Sequence, residues 1–134
     1  MHQKRKVILD VDTGTDDAVA ILMAGHAASL DLVAVTVTYG NGPLELTLCN
    51  TLKVVEAGGL AHVPVFAGAS RPLTREPYPT QGLQRTELPL PEPSVAPGAG
   101  RAADFLRRYY GATFNPLWCY GRWCIHSLKC SAGG

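Results

Sequence analysis

Hydrophobic and polar positions between residues 6 and 72 alternate between short apolar runs and segments with apolar residues at helical spacing. The apolar runs are rich in aliphatic and β-branched residues, as in strands buried on both faces of a parallel sheet. The pattern predicts strands over Val7–Val11, Leu32–Thr38 and Val63–Ala67 and helices over Thr15–Ala28 and Pro43–Ala57. This β-α-β-α-β order, with short connections, predicts an α/β fold with an open, mostly parallel sheet and right-handed crossovers.

The ends of the two predicted helices carry recognisable signals. Thr15 is in place to cap the first helix, and two acidic residues follow in its first turn. Pro43 suits the first turn of the second helix, and the Gly58–Gly59 pair suits its end. The core-facing positions predicted for the first helix are Ala18, Ile21, Leu22 and Met23.

The regular pattern stops at about Leu73 and resumes as a helix over Arg101–Tyr110. The stretch 73–100 holds most of the ten prolines, and such a long loop in a compact domain is either functional or disordered. After Gly111 the composition changes to a segment rich in Cys and Trp with little periodicity. We therefore predict an α/β domain over 1–110, with a long proline-rich loop at 73–100, and an irregular, divergent tail over 111–134.

Composition narrows the class of protein further. The chain has 134 residues, with 12 Lys and Arg against 11 Asp and Glu, for a formal charge of +1. Such a weak net charge argues against nucleic acid or an anionic membrane as a partner. The basic start is followed by only three apolar residues before Asp10, too few for a secretory leader, and we expect a cytoplasmic location. In that setting the four cysteines do not indicate a disulfide framework.

Four carboxylates fall within eight residues at the end of the first predicted strand: Asp10, Asp12, Asp16 and Asp17. The first two lie on the same side of an extended chain, and the other two lie in the first turn of the helix. Carboxyl ends of parallel strands are where open α/β sheets bind ligands. Convergent carboxylates favour a hard cation, Ca²⁺ or Mg²⁺, over zinc. The acidic pair beside Thr15 is equally typical of an ordinary helix start.

The stretch Val-Ile-Leu-Asp10-Val-Asp-Thr-Gly-Thr-Asp-Asp-Ala18 resembles the opening motif of the inosine–uridine nucleoside hydrolases. Members of that family are calcium-dependent N-ribohydrolases with an open, Rossmann-like α/β sheet. Further similar segments follow in the family's order over about residues 5–110. They are Val37-Thr-Tyr-Gly-Asn41, the helix with Asn50 and Val54-Val-Glu56, Val65-Phe-Ala-Gly68, Gly82-Leu83, Leu88-Pro-Leu-Pro91 and Ala102-Ala-Asp-Phe105.

The resemblance implies a role for each residue of the motif. Asp12 would ligate Ca²⁺, with Mg²⁺ the less expected metal, and act as the general base on the attacking water. Asp17 would be a second, bidentate ligand. Asp16 and Asn41 would bind the ribose, and Asp10 would support these groups from behind. The implied reaction is hydrolysis of the N-glycosidic bond of a ribonucleoside, whose oxocarbenium-like transition state acidic residues stabilise.

The chain departs from the family in its length and in some residues. Family members are usually more than twice as long, and their second half supplies further calcium ligands and the base-binding residues. Thr13 stands where many members have Pro, and the His common before Gly82-Leu83 is absent. We therefore hypothesise a truncated product whose tail arises from a frameshift, a retained intron or an alternative exon.

Two alternatives to hydrolysis by this chain remain open. In the first, the chain is a catalytically incomplete fragment that acts by forming a homo-oligomer or by associating with a full-length relative. It also resembles, more weakly, haloacid-dehalogenase-type phosphatases, whose Asp-x-Asp motif would make Asp10 the nucleophile and Asp12 the acid/base with Mg²⁺. That motif continues Gly-Thr, whereas this chain reads Thr13-Gly14, and the Asp16-Asp17 pair has no role in phosphoryl transfer.

Overall fold

The computed structural model describes residues 3–72 and 87–110 and the backbone of one strand near the end of the chain. All three predicted strands and all three predicted helices are present in the predicted order. The elements are β1 Arg5–Val11, α1 Thr15–His26, β2 Leu30–Val37, α2 Leu44–Ala57, β3 Val65–Ala67, α3 Ala102–Tyr110 and β4 Cys124–Ser127.

The strands form one sheet in the order β3-β2-β1-β4. β1 pairs with β2 in parallel, and β2 pairs with β3 in parallel. The last residues of β1 and β2, Val11 and Val37, are register partners, so both strands end at the same edge of the sheet. β4 adds an antiparallel strand beside β1, where the sequence predicted no regular element after Tyr110. The prediction of an irregular tail over 111–134 otherwise concerns residues outside the described part of the chain.

The sheet is buried on both faces. Val7, Leu9 and Val11 of β1 belong to a core cluster with α1 and α2, whereas Ile8 belongs to a second cluster with residues of α3. Because successive residues of a strand point to opposite faces, β1 has to be apolar throughout to fill both clusters. The ring of Phe105 in α3 stacks on Phe66 of β3 with 4.3 Å between centroids.

Helix α1 differs from its prediction at both its start and its core face. Gly14, in extended conformation, is the N-cap, and Thr15 is the first helical residue. Leu22 and Met23 are exposed, Met23 by 69%, whereas Ile21 and Ala24 are buried. The prediction is correct for Ile21 and for Ala18, which is partly buried and packs against the core. It is wrong for Leu22 and Met23, because the buried side of α1 follows positions three to four residues apart, from Asp17 through Ile21 to Ala24.

The remaining boundaries shift by one to two residues. β2 begins two residues earlier than predicted, β3 begins two residues later, and Pro43 is the N-cap of α2 rather than a residue of its first turn. Residues 87–100 of the predicted long loop contain no helix or strand, and 73–86, including Gly82-Leu83, lie outside the described residues. None of the helices in the described ranges is long and apolar enough to cross a membrane.

The packing of α1 gives a direct test on one helix. Replacing the fully buried Ile21 by Ala is expected to lower the free energy of unfolding by about 2–5 kcal/mol, because it leaves a cavity against the sheet. Met23→Ala, on the exposed side, should change it by less than about 0.5 kcal/mol. Urea denaturation monitored by circular dichroism measures both, and equal losses for the two variants would contradict the packing described.

Candidate functional site

Asp10, near the end of β1, is held by the neighbouring strand. Its register partner on β2 is Thr36, whose hydroxyl donates to Asp10 Oδ1 over 2.6 Å. Asp10 is half-buried, and Thr36 is fully buried. The carboxylate of Asp10 is thus fixed at the sheet edge by a bond between β1 and β2.

Asp12 follows β1 directly and contacts the turn that follows β2. Its Oδ2 accepts a hydrogen bond of 2.7 Å from the backbone N–H of Asn41, and the Asn41 side-chain amide donates to the Asp12 carbonyl over 3.0 Å. A Cβ at Gly40 would lie 2.0 Å from Asp12 Oδ2. The close approach of the two loops therefore requires glycine at position 40.

Asp17 lies in the first turn of α1 and is only 5% exposed. Its Oδ2 accepts from the backbone N–H of the helix N-cap, Gly14, over 3.2 Å. Burial raises the pKa of Asp17 from 3.8 to about 6; the Gly14 bond opposes the rise, and the negative charges of Asp12 and Asp16 add to it. Asp16 itself is exposed at the start of the helix. A buried carboxylate beside two others is chemically suited to a hard cation.

The structure brings together only part of the predicted acidic cluster. Asp12, Asp16 and Asp17 interact electrostatically, whereas Asp10 is bonded to Thr36. The four aspartates do not place three ligand atoms within 4.8 Å of one another anywhere in the described ranges. Calcium takes six to eight oxygen ligands, so Asp12 and Asp17 fit it as part of a coordination shell.

Another group of potential ligand atoms, those of Cys49, Glu87 and Glu92, does lie within 4.8 Å. The ammonium group of Lys53 already occupies this site and balances one of the two glutamate charges, with Nζ paired to Glu87 and lying 2.9 Å from Glu92 Oε1. Burial also raises the pKa of the Cys49 thiol, which disfavours the thiolate that a metal requires. This group is therefore an ion pair rather than a metal centre.

A buried polar network beneath the acidic loop was missed by the sequence analysis. The hydroxyls of Thr13 and Thr51 share a hydrogen bond of 2.6 Å. The Asn50 amide donates to the Thr13 carbonyl over 3.3 Å and accepts from the Leu88 backbone N–H over 2.8 Å. The only signal in the sequence was the spacing of Thr47, Asn50 and Thr51 on one side of α2, which is also typical of a solvent-facing stripe.

Polar side chains of α2 also hold the segment Glu87–Val95, called here the strap. Lys53, only 3% exposed, pairs with two strap glutamates, and these contacts lower the pKa of Glu87. Glu56 accepts from the hydroxyl and backbone N–H of Ser94, which lower the pKa of Glu56. The strap thus starts beside Asn50, which contacts the acidic loop, and runs along α2 away from that loop.

Comparison with known proteins gives a consistent result. The sequence model of one family, described as inosine-uridine preferring nucleoside hydrolase, matches residues 7–120. The pyrimidine-specific ribonucleoside hydrolase RihB of Escherichia coli strain SE11 is 45% identical over 74 residues, which cover 55% of this chain and 23% of that protein.

Solved structures with a fold similar to that of this chain include two nucleoside hydrolases. One is a purine-preferring ribonucleoside hydrolase from Gardnerella vaginalis, with a TM-score of 0.67 and 29% identity, covering 77% of this chain and 35% of that one. The other is a plant nucleoside hydrolase, the PpNRh1 enzyme, with a TM-score of 0.68 and 28% identity, covering 80% and 36%. The chain thus spans between about a quarter and about a third of the lengths of these relatives.

The contact between the two loops predicts the effect of a single methyl group. Gly40→Ala is expected to displace the Asp12 carboxylate, lower the free energy of unfolding by about 1–3 kcal/mol and expose the Asn41 amide to hydrogen exchange. Gly42→Ala is the control, because its Cβ would meet only the flexible end of Leu46. Unchanged exchange at Asn41 in the Gly40 variant would show that the contact is not tight.

Proposed function

Because the chain belongs to the inosine-uridine preferring nucleoside hydrolase family, we propose that it hydrolyses the N-glycosidic bond of ribonucleosides, giving ribose and free base. The observation that carries the proposal is the meeting of Asp12 and Asn41 across the ends of β1 and β2, beside the buried Asp17. That edge of a parallel sheet is where open α/β folds bind ligands. The names of the relatives described above, all ribonucleoside or nucleoside hydrolases, support the same reaction class and do not favour a phosphatase.

The described residues fit Ca²⁺ as a cofactor in part. Asp12 and Asp17 would hold it, since both are carboxylates and the buried Asp17 gains from a positive neighbour. A bound Ca²⁺ supplies a positive charge that favours ionisation of water and orients it. Calcium suits such a site better than Mg²⁺, because it tolerates carboxylates in a flexible, larger shell.

The remaining roles follow from the positions of the side chains. Asp12 would accept a proton from the attacking water at a carboxylate oxygen, while Asn41 keeps that carboxylate oriented and contacts the ribose. Asp16 is exposed at the start of α1, so its carboxylate can accept hydrogen bonds from ribose hydroxyls. Asp10, whose carboxylate is held by the Thr36 hydroxyl, would support and orient these groups from the sheet edge. Together these negative groups would stabilise the positive charge that develops on the sugar.

A second candidate function is that of a catalytically incomplete member of the family. Its basis is the acidic loop of the described residues, where the aspartates do not place three ligand atoms within 4.8 Å of one another. Such a chain would retain the ribose and calcium edge and act with a second copy or with a full-length relative. Both forms of association, and a cytoplasmic location, stay predictions.

Activity separates the two candidates. Release of reducing sugar from inosine and uridine, with Ca²⁺ and with chelator, is expected to be calcium-dependent and to fall at least a hundredfold in Asp12→Asn. Asp31→Asn, an exposed acid on β2, is the matched control and should leave the rate unchanged. No release from the folded wild-type chain would reject hydrolysis by this chain alone and favour the incomplete-member function.

The metal assignment has its own test. Asp17→Asn keeps an oxygen acceptor for Gly14 but removes a buried charge that is repelled by Asp12 and Asp16. Without calcium, this variant should therefore melt at a higher temperature than the wild type at pH 7. Added Ca²⁺ should raise the melting temperature of the wild type and not that of the variant.

Thermal unfolding with Ca²⁺ or with chelator measures both effects. An equal calcium-induced rise in the variant would place the cation elsewhere.

A further inference from the structure

Helix α2 presents three polar residues to the strap at intervals of three positions. Asn50 bonds to the backbone of Leu88, Lys53 pairs with the strap glutamates, and Glu56 accepts from Ser94. Positions three apart lie on the same side of a helix, so these side chains form one continuous row beneath the strap. The row gives the strap a defined path in spite of its lack of helix and strand.

Asn50 differs from the other two members of the row because it also contacts the acidic loop. Its Nδ2 donates to the carbonyl of Thr13, between Asp12 and Gly14, and its Oδ1 accepts from the strap. The two partners are backbone groups of opposite kind, which determines the orientation of the amide. The side chain is only 2% exposed, so water does not replace either bond readily.

We propose that Asn50 is a positioning residue that couples the strap to the Asp12–Asp17 loop. This inference rests on the proposed function, because the loop that Asn50 positions is the one assigned to calcium and ribose. One amide group satisfies both the Thr13 carbonyl and the Leu88 N–H, so movement of the strap changes the support of the loop. The coupling is reciprocal: occupation of the loop by calcium holds the strap more firmly against α2.

The other row residues provide a matched control. Glu56 holds the far end of the strap, and within the described part of the chain its hydrogen bonds go to Ser94 and Val95 of the strap. Glu56→Gln keeps one oxygen acceptor but loses the other and the charge, so it should weaken the hold on the far end of the strap while leaving the loop unchanged. Asn50→Ala removes both bonds of the amide. Asn50→Asp conserves shape and keeps the acceptor for Leu88, but its carboxylate has no proton to donate to Thr13 at neutral pH.

Amide hydrogen exchange on the full chain without calcium tests the coupling independently of activity. In Asn50→Ala, exchange at Gly14–Ala18 and at Leu88 is expected to accelerate at least fivefold, while Val7–Val11 of β1 exchanges as in the wild type. Asn50→Asp, the variant that best preserves packing, should accelerate exchange at Gly14–Ala18 and leave Leu88 protected. Acceleration spread equally over β1 would indicate a general loss of stability and overturn the proposal, as would an unchanged loop.

Calcium titration adds a second readout. By calorimetry, Asn50→Ala should bind Ca²⁺ about tenfold more weakly than the wild type, and Glu56→Gln should bind it equally well. Equal weakening in both variants would assign the effect to the strap as a whole and contradict a special role for Asn50. If the wild type binds no Ca²⁺, the proposed function fails, and the exchange pattern still decides whether Asn50 couples the two segments.

Discussion

The parallel register of β1 and β2 is the constraint on which the rest of the site depends. Because Val11 pairs with Val37, the residues that follow the two strands emerge side by side at one edge of the sheet. Asp12 and Asn41, far apart in sequence, are thereby brought within hydrogen-bond distance. A slip of one residue would turn Asp10 and Asp12 towards the opposite face and bury the charges among the core side chains.

The acidic loop is supported from below by buried polar groups rather than by apolar packing. Thr13, Asn50 and Thr51 are buried and bonded to one another, so α2 contributes a polar face where it passes beneath the loop. Such a network specifies one geometry only while every member is satisfied. The site is thus built from two sheet-edge loops above and one helix below, with the strap along the outside of that helix.

The strands and the place of Asp10 and Asp12 could be predicted from the sequence, because buried parallel strands are continuously apolar and acids at the end of β1 must lie at the sheet edge. The hydrogen bonds between Asp12 and Asn41 were not predicted. The core face of α1 could be predicted only in part, since Leu22 and Met23 are apolar yet point away from the sheet. The contacts of Asn50 could not be predicted from the sequence either. Its partners Thr13 and Leu88 lie 37 and 38 residues away, and a polar residue on a helix is usually solvent-facing. For the same reason the burial of Lys53 gave no signal in the sequence.

The central claim is that the carboxyl ends of β1 and β2 form a cation-binding edge in this chain. Titration of the ¹⁵N-labelled protein with Ca²⁺, followed by amide chemical shifts, tests it most directly. The largest shifts are expected at Gly14, Asp17 and Asn41. Shifts concentrated at Cys49, Glu87 and Glu92, or no shifts at millimolar Ca²⁺, would contradict it.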